Sequence, residues 1–432
     1  MEYSMIIARI DTDRGIDRQE LEALVNRTIE ASGASQARNI LIIPPDITRL
    51  HSQAGTITSL LVKRLRSRVS AILPALGTHA PMSAEELRRM YAGCEPALFR
   101  IHDWRHDVVE LGRIPEEAMH ALSGGRVSYS YPVQVNRLLV ESGFDLIISV
   151  GQVVPHEVAG MANQAKNIFV GTGGKEAIDR SHYLGAVCGL ERIMGTADNP
   201  VRKVLDEALK LAAPQLPPLF WILTVMASAA DGSLAMRGYF AGDDRTAFEQ
   251  AAELSRAVNI ELFDSPLQKA VVWLDPSEYR STWLGNKAVY RLRMAMADGG
   301  TLLILAPGLK GFGEDPGIDA LIRKYGYRPA AEIQTLVARE PELAGNLSSA
   351  AHLIHGSSEG RFRIVYAPGQ GVSREEIESV GYAWEDLETA HARYRPEEKT
   401  TGWYRTDDGE AFFFVQNPAL GLWSTREKMH RR

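Results

Sequence analysis

The chain has 432 residues, 45% of them hydrophobic and 24% charged, with a formal net charge of −6. That length exceeds what one hydrophobic core usually supports, so two domains are expected, and the mild acidity argues against a nucleic-acid surface. Two cysteines without paired spacing, Cys94 and Cys188, suggest neither a disulfide framework nor a zinc knuckle.

The start, MEYSMIIARIDTDRG, has no basic stretch and only a short apolar run, too little for a signal peptide, and no window approaches a membrane span. A cytoplasmic protein is expected. NILIIPP (39–45) is an apolar run stopped by two prolines, and ITSLLVKRLRSRV (57–69) follows with helical spacing of Leu60, Leu61 and Leu65. AILPALG (71–77) is a candidate buried strand, and SAEELRRMYAG (83–93) opens with a Ser-x-x-Glu capping box. FDLIISVG (144–151), KNIFVG (166–171), FWILTVMA (220–227), KAVVWL (269–274) and TLLILAPG (301–308) are strand-like. Helical patterns at 203–212, 244–257, 286–297 and 315–325 separate most of them. The alternation predicts an α/β fold of two α/β domains with largely parallel sheets and an active site in the cleft between them. The expected division is an N-terminal domain over 1–262, a C-terminal domain over 263–395, and a tail over 396–432 that packs back on the first domain.

In such sheets chemistry collects in loops at the carboxyl ends of strands. Four such loops carry titratable or phosphate-friendly groups. IIPPDITRL offers Asp46, Thr48 and Arg49, LGTHAPMS offers His79, VGQVVPHEVAG offers His156, and GTGGK follows the segment that begins at Lys166. Each has an ordinary reading beside the functional one. A single loop histidine often only bonds its own loop, Arg49 and Asp46 could form a local ion pair, and Lys166 could simply start a strand. VGTGGKEA could be a plain turn or a nest of backbone N–H groups for a phosphate. It is not a dinucleotide fingerprint, because Glu176 stands where a third glycine belongs. Nor is it a P-loop, because Phe169 replaces the leading glycine. HDWRHD (His102, His106) and HLIH (His352, His355) have metal-ligand spacing but lack the general base of H-E-x-x-H.

PHEVAGMANQAKNIFVGTGG, followed by SHYLGAVCG, together with DITR, LGTHAPMS and the later NKAVYRLRMAMADGGTLLILAPGLKGFGED, resembles the nickel-pincer lactate racemase family. The resemblance runs from about residue 40 onward, and the spacing of His156, Lys166 and His182 is its most specific part. It implies a 2-hydroxy acid racemase or epimerase carrying a pyridinium-3-thioamide-5-thiocarboxylate mononucleotide with nickel. Lys166 would be its covalent anchor and His182 the protein ligand to nickel. The catalytic pair would be His79 and His156, with Asp46, Thr48, Gly171, Thr172, Gly173 and Gly174 around the cofactor. Arg49 and Lys287 would contact substrate.

Implied partners are a small 2-hydroxy acid and the proteins that make and load the cofactor, with no nucleic acid and no membrane. Leu284 stands where lactate racemase has a glutamine, and LHSQAG follows DITR in place of a proline-containing segment. Those departures point away from lactate toward a longer polyhydroxy acid such as an aldonate, with His51, Ser52 and Gln53 as candidate hydroxyl contacts. A short 2-hydroxy acid substrate, a metal-dependent hydrolase or lyase, and a non-catalytic ligand-binding relative are the competing readings.

Overall fold

The computed structural model describes residues 6–228 and 233–430, which divide into two compact units. The first comprises the residues up to Ser181 together with Ile193–Val258; the second comprises His182–Arg192 and the residues from Asn259 onward.

The first unit is built on a six-stranded sheet. Its strands are β1 (Ile7–Ile10), β2 (Ile40–Ile43), β3 (Val69–Ile72), β4 (Leu146–Gln152), β5 (Leu219–Ser228) and β6 (Leu234–Gly242), in the spatial order β1-β6-β5-β4-β2-β3. β3, β2, β4 and β5 run parallel, and β6 and β1 close the sheet antiparallel. The central strands are unbroken apolar runs because both faces are covered. The helix Ala54–Leu65 lays Ile57, Leu60 and Leu61 on one face, and the helix Arg245–Asn259 lays Ala247, Phe248 and Ala251 on the other. The predicted capping box at Ser83 is present, with Glu86 bonding back to it.

The second unit has its own six-stranded sheet. Its strands are β7 (Leu267–Trp273), β8 (Met296–Ala306), β9 (Arg363–Pro368), β10 (Ala383–Trp384), β11 (Gly402–Arg405) and β12 (Ala411–Val415), ordered β10-β9-β8-β7-β12-β11. All neighbours are parallel except the β11–β12 pair. The expected α/β class with largely parallel sheets is therefore the observed one.

The stretch from 396 supplies strands to the second sheet: Phe412 and Phe414 of β12 are fully buried against Val271, Leu303 and Leu305. An apolar strand needs a partner edge, and β7 offers one within its own unit. The segment beginning at Lys166 is not a strand but the short helix Ala165–Phe169. A five-residue apolar run buried all round has the same pattern in either state, so periodicity cannot tell them apart.

Candidate active site

Three strand ends of the first unit, and the turn after one short helix, carry the groups the loops promised. After β2, the backbone passes Pro44 and Pro45 into a 3₁₀ turn, Ile47–Ser52, capped by the Asp46 side chain. Asp46 is buried, and its Oδ1 accepts from the Thr48 backbone N–H at 3.2 Å and from the Thr48 hydroxyl at 2.5 Å. Its Oδ2 lies 2.6 Å from Nδ1 of His79, a largely exposed ring on the loop after β3. Burial alone would raise the Asp46 pKa. The bond and charge of His79, the Thr48 hydroxyl and the charge of Arg49 outweigh it and hold the carboxyl below its ordinary value. Asp46 thus orients His79. Thr48 in turn fixes the Asp46 carboxylate.

His156 lies in the loop after β4 and is buried. Its Nδ1 accepts from the backbone N–H groups of Val158 at 3.1 Å and Ala159 at 3.4 Å, while a Glu157 carboxylate oxygen stands 3.9 Å away.

Lys166 follows on the helix Ala165–Phe169. That helix is launched by Asn163 and Gln164, both at positive φ (71° and 57°), a conformation that costs a glutamine roughly 1–3 kcal/mol. The buried guanidinium of Arg202 holds this bend by bonding the carbonyls of Met161 at 2.5 Å and Asn163 at 3.2 Å. Asn167, one residue after the lysine, bonds the Ile43 carbonyl at 3.2 Å and Ser149 Oγ at 2.9 Å, tying the helix to the end of β2 and the middle of β4. Lys166 itself is partly exposed, yet burial is the leading cause that pushes its amine down to about 8, with the charge of Arg49 next. Glu157 and Asp46 act on it in the opposite sense. Asp46, Arg49, Glu157 and Lys166 therefore share one electrostatic neighbourhood.

The glycine run has a structural explanation that motif reading did not anticipate. A Cβ on Gly173 would sit 2.0 Å from the Phe169 carbonyl, one on Gly171 2.4 Å from the Asn167 carbonyl, and one on Gly174 2.4 Å from the Gln134 side chain. The loop folds flat against the lysine-bearing helix, and Thr172 spends its hydroxyl on the Ile168 carbonyl at 2.6 Å. Any contact these four residues make with a ligand is left to the backbone. The Gly171 carbonyl also accepts from Gly77 N–H at 2.9 Å, joining this turn to the His79 loop.

Other expectations narrow. Ser52 is fully buried: its Oγ accepts from Ala54 N–H and its carbonyl from Thr224 Oγ1, so only His51 and Gln53 of that trio reach solvent. His102 is buried between the Gly173 carbonyl and the Asn136 amide, each at 3.0 Å, whereas His106 is exposed and bonded to Asp103. His352 packs against Trp283 with ring centroids 4.2 Å apart and shares a hydrogen bond with Tyr327. These histidines serve packing and loop bonding, and no cluster of three or more metal-ligating side chains occurs among the described residues.

His182 and Lys287 belong to the second unit. His182 is a partly exposed residue of the helix Lys175–Cys188, and Lys287 begins the helix Lys287–Leu292 with its ammonium 6.0 Å from the Tyr279 ring centre. Sequence reasoning assigned no role to Glu157 or Arg202. Glu157 was visible beside His156; Arg202 looks in sequence like any cation on an amphipathic helix.

The first unit, with helices on both faces of its sheet, thus carries an aspartate–histidine pair, a buried histidine and a lysine of lowered pKa in the loops after its parallel strands. Residues 7–192 match the lactate racemase N-terminal domain family. The chain is 27% identical over 292 residues to lactate racemase of Thermoanaerobacterium thermosaccharolyticum, covering 65% of this chain and 62% of that protein. It is 26% identical over 288 residues to lactate racemase of Lactiplantibacillus plantarum, covering 64% and 61%. The matched stretch thus spans about three fifths of the length of these curated relatives.

Among solved structures, a Thermotoga maritima protein superposes with a TM-score of 0.78 at 23% identity, covering 95% of this chain and 98% of that one. The lactate racemase apoprotein of T. thermosaccharolyticum superposes at 0.69 with 18% identity, covering 96% and 94%; both likenesses speak to the fold. Residues 7–192 thus carry the domain found at the N-terminus of lactate racemases. Among the described residues no helix is long and apolar enough to cross a membrane.

Proposed function

We propose that this protein inverts C2 of a 2-hydroxy acid with a nickel-pincer nucleotide tethered through Lys166. The observation that carries this reading is the lysine. Its amine, pushed down to about 8 by burial and by Arg49, sits in the same neighbourhood as the Asp46 that orients His79. An amine that loses its proton near neutral pH fits a covalently attached electrophile better than a surface lysine would. Lys166 would hold the group, His182 would ligate its nickel, and the backbone of residues 171–174 would line it.

When bound, that group supplies hydride acceptance and return, which avoids forming a carbanion beside a carboxylate. The chain's own residues do the rest. Arg49 offers a fork of donors to the substrate carboxylate. His79, fixed through Asp46, exchanges the hydroxyl proton of one enantiomer, and the buried His156 does so for the other. Lys287 is assigned a second substrate contact. With Leu284 where lactate racemase has glutamine, the substrate is a 2-hydroxy acid larger than lactate, aldonic acids being the first class to try. His51 and Gln53 are the hydroxyl contacts that remain open to solvent.

Intact mass tests the tether. Protein co-produced with a cofactor-synthesis pathway should carry an adduct that Lys166→Ala abolishes; an unmodified mass despite nickel loading refutes the assignment. A proton-NMR screen of the loaded protein against 2-hydroxy acids and aldonates should then reveal inversion at C2. Turnover of lactate in preference to every longer acid would overturn the substrate reading.

A further inference from the structure

We propose that Gln53 selects an acid with a hydroxyl-bearing tail, and that Thr224 positions it for that task. This rests on the 2-hydroxy acid reading and narrows it to one specificity-determining side chain.

Gln53 sits at φ 61° and ψ 4°, between the turn Ile47–Ser52 and the helix Ala54–Leu65. That left-handed region suits glycine or asparagine and disfavours a longer side chain. Both neighbouring peptides dictate it. Thr224 donates its hydroxyl to the Ser52 carbonyl at 2.7 Å, which fixes the peptide entering Gln53. The Gln53 carbonyl accepts from Ile57 N–H at 3.0 Å, which commits the peptide leaving it to the helix. Thr224 is fully buried on β5 and pairs with Gln152, the last residue of β4. The turn is therefore anchored at the level where β4 feeds the His156 loop.

The side chain gives nothing back to the fold. Ser52 Oγ accepts from Ala54 N–H, whereas the Gln53 amide caps no helix and makes no hydrogen bond among the described residues. A glycine would serve this backbone better, and a strained residue without a structural task points to a ligand. The same turn carries Arg49, assigned to the substrate carboxylate, and Gln53 is half-buried four residues on. A primary amide donates from nitrogen and accepts at oxygen, so it matches a neutral hydroxyl with both ends. A carboxylate would use only the donor.

Stability tests the structural half without cofactor. Gln53→Gly should raise the melting temperature by about 2 °C, whereas Gln53→Ala, which keeps the left-handed backbone, should not. A lowered melting temperature in Gln53→Gly would mean that the glutamine serves the fold, and overturns the proposal. In cofactor-loaded protein, Gln53→Gly should lower the ratio of kcat/KM for gluconate to that for lactate by about five- to tenfold. Thr224→Val should lower that ratio too, but not when added to Gln53→Gly. An unchanged ratio in either single variant overturns the assignment.

Labelling glutamine side chains with ¹⁵N separates the proposal from the reading beneath it. In loaded wild type the Gln53 amide signal, identified by its loss in Gln53→Gly, should move with gluconate and stay still with lactate. A signal that gluconate does not move sinks the Gln53 contact, whether or not C2 is inverted. A moving signal without inversion leaves the contact standing and sinks the racemase reading.

Discussion

Replacing Lys166 with methionine should stabilise the protein at neutral pH and below, with the gain fading at high pH. The amine is pushed from its ordinary 10.5 down to about 8 by burial first and by Arg49 second. At about 1.4 kcal/mol per tenfold change in proton affinity, holding the ammonium in the folded chain costs about 3 kcal/mol, and the residue's partial exposure reduces this to about 2 kcal/mol. Because the folded pKa lies below the unfolded one, the unfolded chain binds the extra proton between about 8 and 10.5. Stability therefore rises with pH through that window, and the penalty is fully present below about 8. Methionine keeps the length of the side chain and removes the charge. Urea denaturation of wild type and Lys166→Met, at neutral pH and near the ordinary lysine value, reads the difference directly. The variant should be more stable by about 2 kcal/mol at neutral pH, with the gap closing at high pH. A destabilised variant at neutral pH, or a gap independent of pH, would refute the argument.

Other outcomes follow from packing. Gly173→Ala places a Cβ 2.0 Å from the Phe169 carbonyl and should destabilise the protein by about 1–3 kcal/mol in thermal or urea unfolding, whether or not any ligand is present. Arg202→Met strands the carbonyls of Met161 and Asn163 and should cost about 3 kcal/mol. As the bend before the lysine relaxes, the pH profile of amine labelling at Lys166 should move toward that of an ordinary lysine. Ending the chain at Lys399 removes β12 and with it the burial of Phe412 and Phe414, about 2 kcal/mol each. It also bares the edge of β7, so the product should be insoluble on expression; a soluble, fully folded truncation would contradict the strand order.

The parallel strands β2, β3, β4, β5, β7 and β8 were legible because each is a short apolar run bounded by turn residues, and the carboxyl ends of β2, β3 and β4 led straight to Asp46, His79 and His156. Lys166 was found but placed on the wrong element, since KNIFV is as apolar as any buried strand and its helix is set by the positive-φ pair before it. The glycines were read for a ligand because sequence cannot show that their missing side chains make room for the Phe169 and Asn167 carbonyls. His102 and His352 had metal-like spacing, and only three-dimensional neighbours reveal that each ring is already engaged. The Asp46–His79 pair joins residues 33 positions apart, a contact that no local pattern encodes.

The place of β12 in the second sheet constrains how the protein can be made. Leu267–Trp273 leaves the ribosome early, yet the strand that lies against one side of it, Ala411–Val415, is synthesised well over a hundred residues later. At about 5–20 residues per second that delay is on the order of ten seconds. Throughout it Val271 and its neighbours have no β12 to cover them. The first unit, whose strands are all complete by Gly242, can mature on the nascent chain, while the second must wait or be sheltered by a chaperone.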